Sequence, residues 1–255
     1  MSRTYRVVLT MSSRAYTDDA LLGGRITLRQ PSKGYRAALE PILLAAAVTE
    51  KKDMRVLDAG CGSGAAMLCL AARVSDCTIV GLELQSKLES FARQSIAINH
   101  LNDRLSVVQG DIIDPPTSVA KISFDVVMSN PPFGETGTPP PNSQKAVAHM
   151  EQETSLRDWI NALLRLLNDR GQLVLIHRAN RLSDIIAPLK GRAGDITIFP
   201  IWHKAGQPAK RVIVSALKGR KSPDRLLSGV TVHESDGSFT AELNTILCDA
   251  GAINL

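Results

Sequence analysis

The 255-residue sequence has no run of roughly 18 apolar residues, so no membrane-spanning helix is expected. Its opening stretch, Met1 to Thr10, is basic but lacks a continuous apolar core and a small-residue cleavage site, which argues against a secretory signal. The four cysteines (Cys61, Cys69, Cys77 and Cys248) form no CxxC pair and have no histidine at zinc-ligand spacing. A zinc module and a disulfide scaffold are therefore not expected. The expectation is reduced, mostly buried thiols in a cytoplasmic protein, with no metal site. No internal repeat is present, so a repeat architecture is not expected either.

What is present is an ordinary soluble composition, 44% hydrophobic and 22% charged, long enough for one large α/β domain. The net charge is only +5, but it is unevenly placed. Residues 1–36 hold Arg3, Arg6, Arg14, Arg25, Arg29, Lys33 and Arg36 against Asp18 and Asp19. Residues 202–225 hold Lys204, Lys210, Arg211, Lys218, Arg220, Lys221 and Arg225 against Asp224 alone. Two basic ends around a neutral-to-acidic middle suggest an anionic partner such as nucleic acid, provided that the two surfaces meet in space.

Residues 1–23 show little periodicity and read as a mobile arm. Gly24 to Gln30 alternates apolar and polar, as a short half-exposed strand does. These residues, up to position 35, form a basic N-terminal region ahead of a domain spanning 36–217. Ala38 to Val48 is helical in composition, with Pro41 tolerated in a first turn. Strands then alternate with helices: Val56–Asp58, Ala65–Val74, Cys77–Glu83, Gln85–Asn99, Leu105–Gln109, Phe124–Ser129, helix 154–168, Gln172–His177 and Leu182–Leu189. Asp195–Trp202 and Lys210–Ala216 read as an antiparallel hairpin. The pattern predicts a doubly wound α/β fold, a mostly parallel seven-stranded sheet with a C-terminal antiparallel hairpin. Residues 218–255 are expected to be an extension packed on the domain, helical from Phe239 to Leu255. The proline-rich segment Glu135 to Asn142 is a candidate substrate loop.

Three acids follow the first three strands of that alternation. Asp58 opens the glycine-rich turn Asp58-Ala59-Gly60-Cys61-Gly62-Ser63-Gly64, where glycines permit a tight turn and close ligand approach. An acid there repels a pyrophosphate but accepts from a cationic ammonium. Glu83, 19 residues past Gly64, ends the second strand, where a carboxylate can accept both hydroxyls of a ribose. Asp111 follows the third strand and can accept from an adenine amine, with Ile112 packed on the ring. All lie at carboxyl ends of strands, where open α/β sheets bind ligands.

The fourth such strand runs into Asn130-Pro131-Pro132-Phe133. The prolines fix φ and remove two backbone donors, leaving carbonyls to accept from a ligand. Asn130 adds a side-chain oxygen and Phe133 a flat apolar face. Together they suit a planar molecule carrying an NH2 group. The histidines, His149 and His177 among them, read as structural.

These residues resemble the class I S-adenosylmethionine-dependent methyltransferases over roughly positions 35 to 217. The resemblance implies that Asp58, Gly60, Gly62, Gly64, Glu83, Asp111, Ile112 and Asn130 bind S-adenosylmethionine. It also implies that Asn130, Pro131, Pro132 and Phe133 form the catalytic motif of the amino-methylating branch. Gly34 to Ala46 and Pro208 to Val212 are similar to stretches of the tRNA(Val) adenine N6-methyltransferase family, whose members usually have Asp at the position of Glu40 and often Gly at that of Pro41. That likeness implies N6-methylation of an adenine in RNA, most of all tRNA near the anticodon. The motif alone also fits a release-factor glutamine N5-methyltransferase, an rRNA guanine N2-methyltransferase, or a non-catalytic protein that keeps the cofactor fold. Expected RNA contacts are Arg29, Lys33, Arg36, Lys145, Lys210 and Arg211.

Overall fold

The computed structural model describes residues 15–33, 36–132 and 155–255. Its central sheet is built from β3 (Met54–Ala59), β4 (Cys77–Glu83), β5 (Leu105–Gln109), β6 (Phe124–Ser129), β7 (Leu167–Arg178), β8 (Ala193–Lys204) and β9 (Arg211–Lys218). The order across the sheet is β5-β4-β3-β6-β7-β9-β8, with β9 alone antiparallel to its neighbours. Two short strands, β10 (Arg225–Leu226) and β11 (Val230–His233), pair parallel to the outer side of β8 and bring the sheet to nine. Strand order reverses between β3 and β6, which opens a crevice beyond their carboxyl ends.

Each central strand is buried on both faces and reads as a nearly continuous apolar run. Alternate side chains serve two cores. Val56, Val126, Met128 and Val174 face one side, packed with α1 (Glu40–Ala46), α2 (Ala65–Arg73), α3 (Ser86–Ile98) and α7 (Ala241–Asp249). Leu57, Val127, Leu173 and Leu175 face the other, packed with α4 (Thr117–Ala120), α5 (Leu156–Leu166) and α6 (Leu182–Leu189). Ser155 starts α5 by accepting from Asp158 N at 3.1 Å, and Thr240 starts α7 by accepting from Leu243 N at 3.2 Å.

Residues 16–21, read from the sequence as part of a mobile arm, instead form β1 (Tyr16–Leu21), paired antiparallel with β2 (Ile26–Pro31). Two adjacent aspartates hide this strand, since Asp is depleted in sheets. Here they are neutralised across the hairpin, Asp18 by Arg29 at 2.7 Å and Asp19 by Arg36 at 2.6 Å. The outer edge of β2 is closed by side chains of α3. Asn99 Oδ1 accepts from Thr27 N and Asn99 Nδ2 donates to Thr27 O, at 2.9 and 2.7 Å. Ser95 Oγ likewise accepts from Arg29 N at 3.0 Å and donates to Arg29 O at 3.2 Å. A helix thus supplies the ladder bonds that a further strand would otherwise make.

The carboxyl-terminal segment packs where α1 and the hairpin meet. Ile253 N donates to Ala46 O at 2.8 Å, and Arg25 donates to Cys248 O.

Candidate functional site

The turn after β3 is folded back over the end of β4. Gly60 N and Cys61 N both donate to Leu82 O, at 2.8 and 3.1 Å. Gly60, Gly62 and Gly64 all adopt positive φ, at 73°, 58° and 91°, and a Cβ on Gly60 would lie 3.2 Å from the ring of Trp159. Glu83 holds the turn from below. Its Oε2 accepts from Gly62 N and its Oε1 from Gln85 N, both at 2.9 Å. Each oxygen keeps a lone pair for a further donor.

Asp58 is 2% exposed and accepts from Met67 N, in the first turn of α2, at 3.1 Å. Burial pushes its carboxyl up to about 7; the Met67 bond pulls the other way and the charge of Glu83 adds to the rise. A carboxylate held under such stress favours an incoming cation. Cys61 beside it is pushed well above the usual thiol range, first by burial and then by Asp58 and Glu83, so it stays a thiol. Asp111 is exposed just past β5 and accepts from Ile113 N at 2.9 Å, while Ile112 is buried beneath it.

Asn130 follows β6 and shares a small cavity of about 20 Å³ with Asp58, Gly60, Ser63 and Pro41. Its Oδ1 is buried without a hydrogen-bond partner among the described residues. An orphaned acceptor at this depth is costly unless something arrives to donate to it. Pro131 is buried and Pro132 exposed; Phe133, Lys145, His149 and the segment Glu135 to Asn142 lie outside the described residues.

Two residues to which the sequence assigns no role fix Asn130 in place. Ser129 Oγ donates to Ala59 O at 2.7 Å and accepts from Trp159 Nε1 at 3.1 Å. The end of β6 is thereby tied to the end of β3, and the Trp159 ring also bears on Gly60. Trp159 sits in α5, outside any motif, and only the folded chain brings it under the turn. A buried serine directly before Asn130 was the one available hint.

The residues expected to hold S-adenosylmethionine are therefore gathered at the ends of four adjacent strands. The orphaned Asn130 oxygen and the stressed Asp58 carboxyl are what such a cationic ligand and an amine acceptor would satisfy, and the residues fit it on that ground. Among the described residues no group of three or more His, Cys, Asp or Glu side chains could hold a metal ion. Burial and the nearby Arg181 push His177 down to about 4, so it is neutral at pH 7.

The expected RNA contacts divide. Arg29 makes a two-point ion pair with Asp18 and lies over the Tyr16 ring at 4.3 Å. Arg36 pairs with Asp19, and Arg211 Nε meets Glu40 Oε1 at 3.1 Å, which gives Glu40 a role in joining α1 to β9. Lys33 and Lys210 are exposed.

A family model described as a methyltransferase domain matches residues 50–192. The tRNA1(Val) (adenine(37)-N6)-methyltransferase of Porphyromonas gingivalis is 29% identical over 63% of this chain and 66% of its own length, just under two thirds. The protein of the same name from Trichodesmium erythraeum is 26% identical over 88% of this chain and 94% of that one. Among solved structures, a predicted O-methyltransferase from Agrobacterium tumefaciens superposes with a TM-score of 0.70 at 25% identity, covering 84% of this chain and 97% of that one.

Proposed function

The chain belongs to the methyltransferase-domain family, and from that premise we propose that it methylates the N6 amine of an adenine in RNA, a tRNA nucleotide near the anticodon above all. The observation that carries the reading is the buried Oδ1 of Asn130, which has no partner among the described residues. It supports an acceptor for one N–H of a flat amine, with the Pro131 carbonyl as the second. An exocyclic adenine amine is a weak nucleophile because its lone pair is delocalised into the ring. Two acceptors favour its tetrahedral form and oppose the positive charge that grows on nitrogen as the new bond forms. The amine proton becomes acidic only then and can leave to water.

The domain and fold imply S-adenosylmethionine, which when bound supplies a methyl group already activated on a positively charged sulfur. Asp58 would take its ammonium, Glu83 its ribose hydroxyls, Asp111 and Ile112 its adenine, with Gly60, Gly62 and Gly64 leaving room for close approach. Phe133 would stack on the target base once it is swung out of its neighbours. Lys33 and Lys210 would contact phosphates, together with Lys145 and any arginine released from its ion pair. With tRNA as substrate the protein would work in the cytoplasm. The names of the relatives support adenine in tRNA over the glutamine and guanine alternatives.

The test is incubation of the pure protein and labelled S-adenosylmethionine with unmodified tRNA, ribosomal RNA, DNA and a release factor in parallel. Label recovered as N6-methyladenosine from tRNA, and lost in Asn130→Ala, is the expected outcome. Label in the release factor alone would move the acceptor to a glutamine amide.

A further inference from the structure

β8 and β11 end side by side on the same carboxyl side of the sheet as the crevice, three and four strand spacings from β6, or about 14 and 19 Å at roughly 4.8 Å per spacing. His203 lies five residues beyond Ile198, the residue level with Ser129, or about 17 Å at roughly 3.3 Å per residue. Three rings form a step there. His203 meets the His233 ring edge-on at 4.8 Å and 76°, and His233 stacks on Phe239 at 5.1 Å and 21°. The step is rigid, because His233 Nδ1 donates to Gly237 O at 3.0 Å and the His233 and Phe239 backbones form a bridge. Phe239 is nonetheless 39% exposed, one of only three large apolar side chains so exposed among the described residues.

Two lysines lie near the step. His203 is held below its ordinary value by partial desolvation, then by Lys210, His233 and Lys204, so both lysines act on that ring. A groove of about 730 Å³ runs alongside, lined by Trp202, Gln207, Pro208, Gly229, Thr240 and Glu242. Glu242 disfavours a phosphate inside the groove. Asp236 accepts from Ser238 N at 2.9 Å and from Ser238 Oγ at 2.6 Å, which hold it below its ordinary value, with Lys204 adding to the shift. An anionic backbone is thereby directed to the Lys204 and Lys210 side, while a flat apolar group finds the exposed ring.

We propose that the His203–His233–Phe239 step, flanked by Lys204 and Lys210, is a second RNA contact that stacks one unpaired base and holds its phosphate. The inference rests on RNA being the substrate. The lateral and axial offsets together put the step roughly 25 Å from the crevice, about seven stacked steps of one strand at 3.4 Å each, so the base taken here is several nucleotides from the one in the crevice. Rings of this kind serve any base, because every base has a π-face. The site therefore adds affinity for an open loop and leaves the choice of target to the crevice.

Equilibrium binding of unmodified tRNA and of S-adenosylmethionine to the full chain tests it, comparing wild type with Phe239→Ala, Phe239→Trp and Lys204→Glu. Phe239→Ala is expected to weaken tRNA binding roughly 5- to 30-fold and to raise the KM for tRNA alike. Phe239→Trp should restore it, and cofactor affinity should not move. Lys204→Glu, which leaves the ring packing alone, should weaken tRNA binding and lower the salt slope by about one. Unchanged tRNA affinity in Phe239→Ala and Lys204→Glu, with methylation of tRNA intact, overturns the second contact only. Failure of the wild-type protein to bind tRNA overturns it together with the RNA reading. If Phe239→Ala loses cofactor affinity through misfolding, Lys204→Glu decides.

Discussion

The crevice beyond β3, β4 and β6 and the outer part of the sheet, β9, β8 and β11, handle charge in opposite ways. In the crevice the charges are acids, Asp58 and Glu83 are buried, and their oxygens are already oriented by Met67 N, Gly62 N and Gln85 N. At the edge they are cations, exposed on long side chains, some tied to acids and some not. A buried, backbone-oriented site is organised before its ligand arrives and suits one small molecule. An exposed, cationic one adapts, is screened by salt, and suits a polyanion of variable shape. On the proposed reading, the crevice would hold the donor and the target amine, and the outer strands would hold the backbone of the RNA.

The sharpest test of that separation is Asn130→Ala. Removing the unpartnered acceptor should lower single-turnover methylation about 10²- to 10³-fold, with a far smaller change in cofactor affinity by calorimetry. A comparable fall in both would mean that Asn130 serves the donor rather than the acceptor.

Asp58→Asn comes next, and should weaken S-adenosylmethionine binding roughly 10- to 100-fold at pH 8, the worth of a charged hydrogen bond. Its pH dependence has a fixed sign. The folded carboxyl titrates near 7 against 3.8 for the unreacted group, so between those values the fold holds a proton that the unfolded chain has lost. Stability without cofactor should therefore fall as pH rises from about 4 to about 7. Cofactor affinity should climb through the same range and level off above it, and both trends should vanish in Asp58→Asn. Thermal melts and titrations at successive pH values read them directly.

Smaller effects concern the supports. Trp159→Phe keeps a ring against Gly60 but removes the bond to Ser129, at a cost of about 1 kcal/mol, and should slow methylation while sparing tRNA affinity. Least of all, Arg29→Gln should change stability by no more than about 1 kcal/mol and leave tRNA binding nearly intact, whereas Lys210→Glu weakens it. Equal effects at both positions would show that the Asp18 pair opens when RNA binds.

The strands of the central sheet were legible because burial on both faces writes them as apolar runs; β4, β5 and β6 begin and end where the pattern says. The same pattern fixes strand ends and the residues after them, and with them the positions of Asp58, Glu83 and Asn130. β1 was hidden by Asp18 and Asp19, whose partners lie 11 and 17 residues further on. β10 and β11, of two and four residues, are shorter than any periodicity can mark. Trp159 and the bond between Arg211 and Glu40 depend on distances across the fold, which spacing along the chain does not encode. Charge counts failed for a related reason. They found Arg29, Arg36 and Arg211 but could not tell which of them the protein itself had engaged.

The contact of Arg25 with Cys248, and the close approach of Gly23 to the same carbonyl, also carry a meaning in time. At roughly 5–20 residues per second, the ribosome needs about 10–45 s to make the stretch between them. Throughout that interval the last neighbour of the hairpin is missing; Asp18 and Asp19 can hold it from the start, and Ser95 and Asn99 once α3 has followed. A released chain ending at Thr240 should accordingly keep its sheet yet lose protection from proteases around residues 21–25, a difference that limited digestion beside the full-length chain would detect.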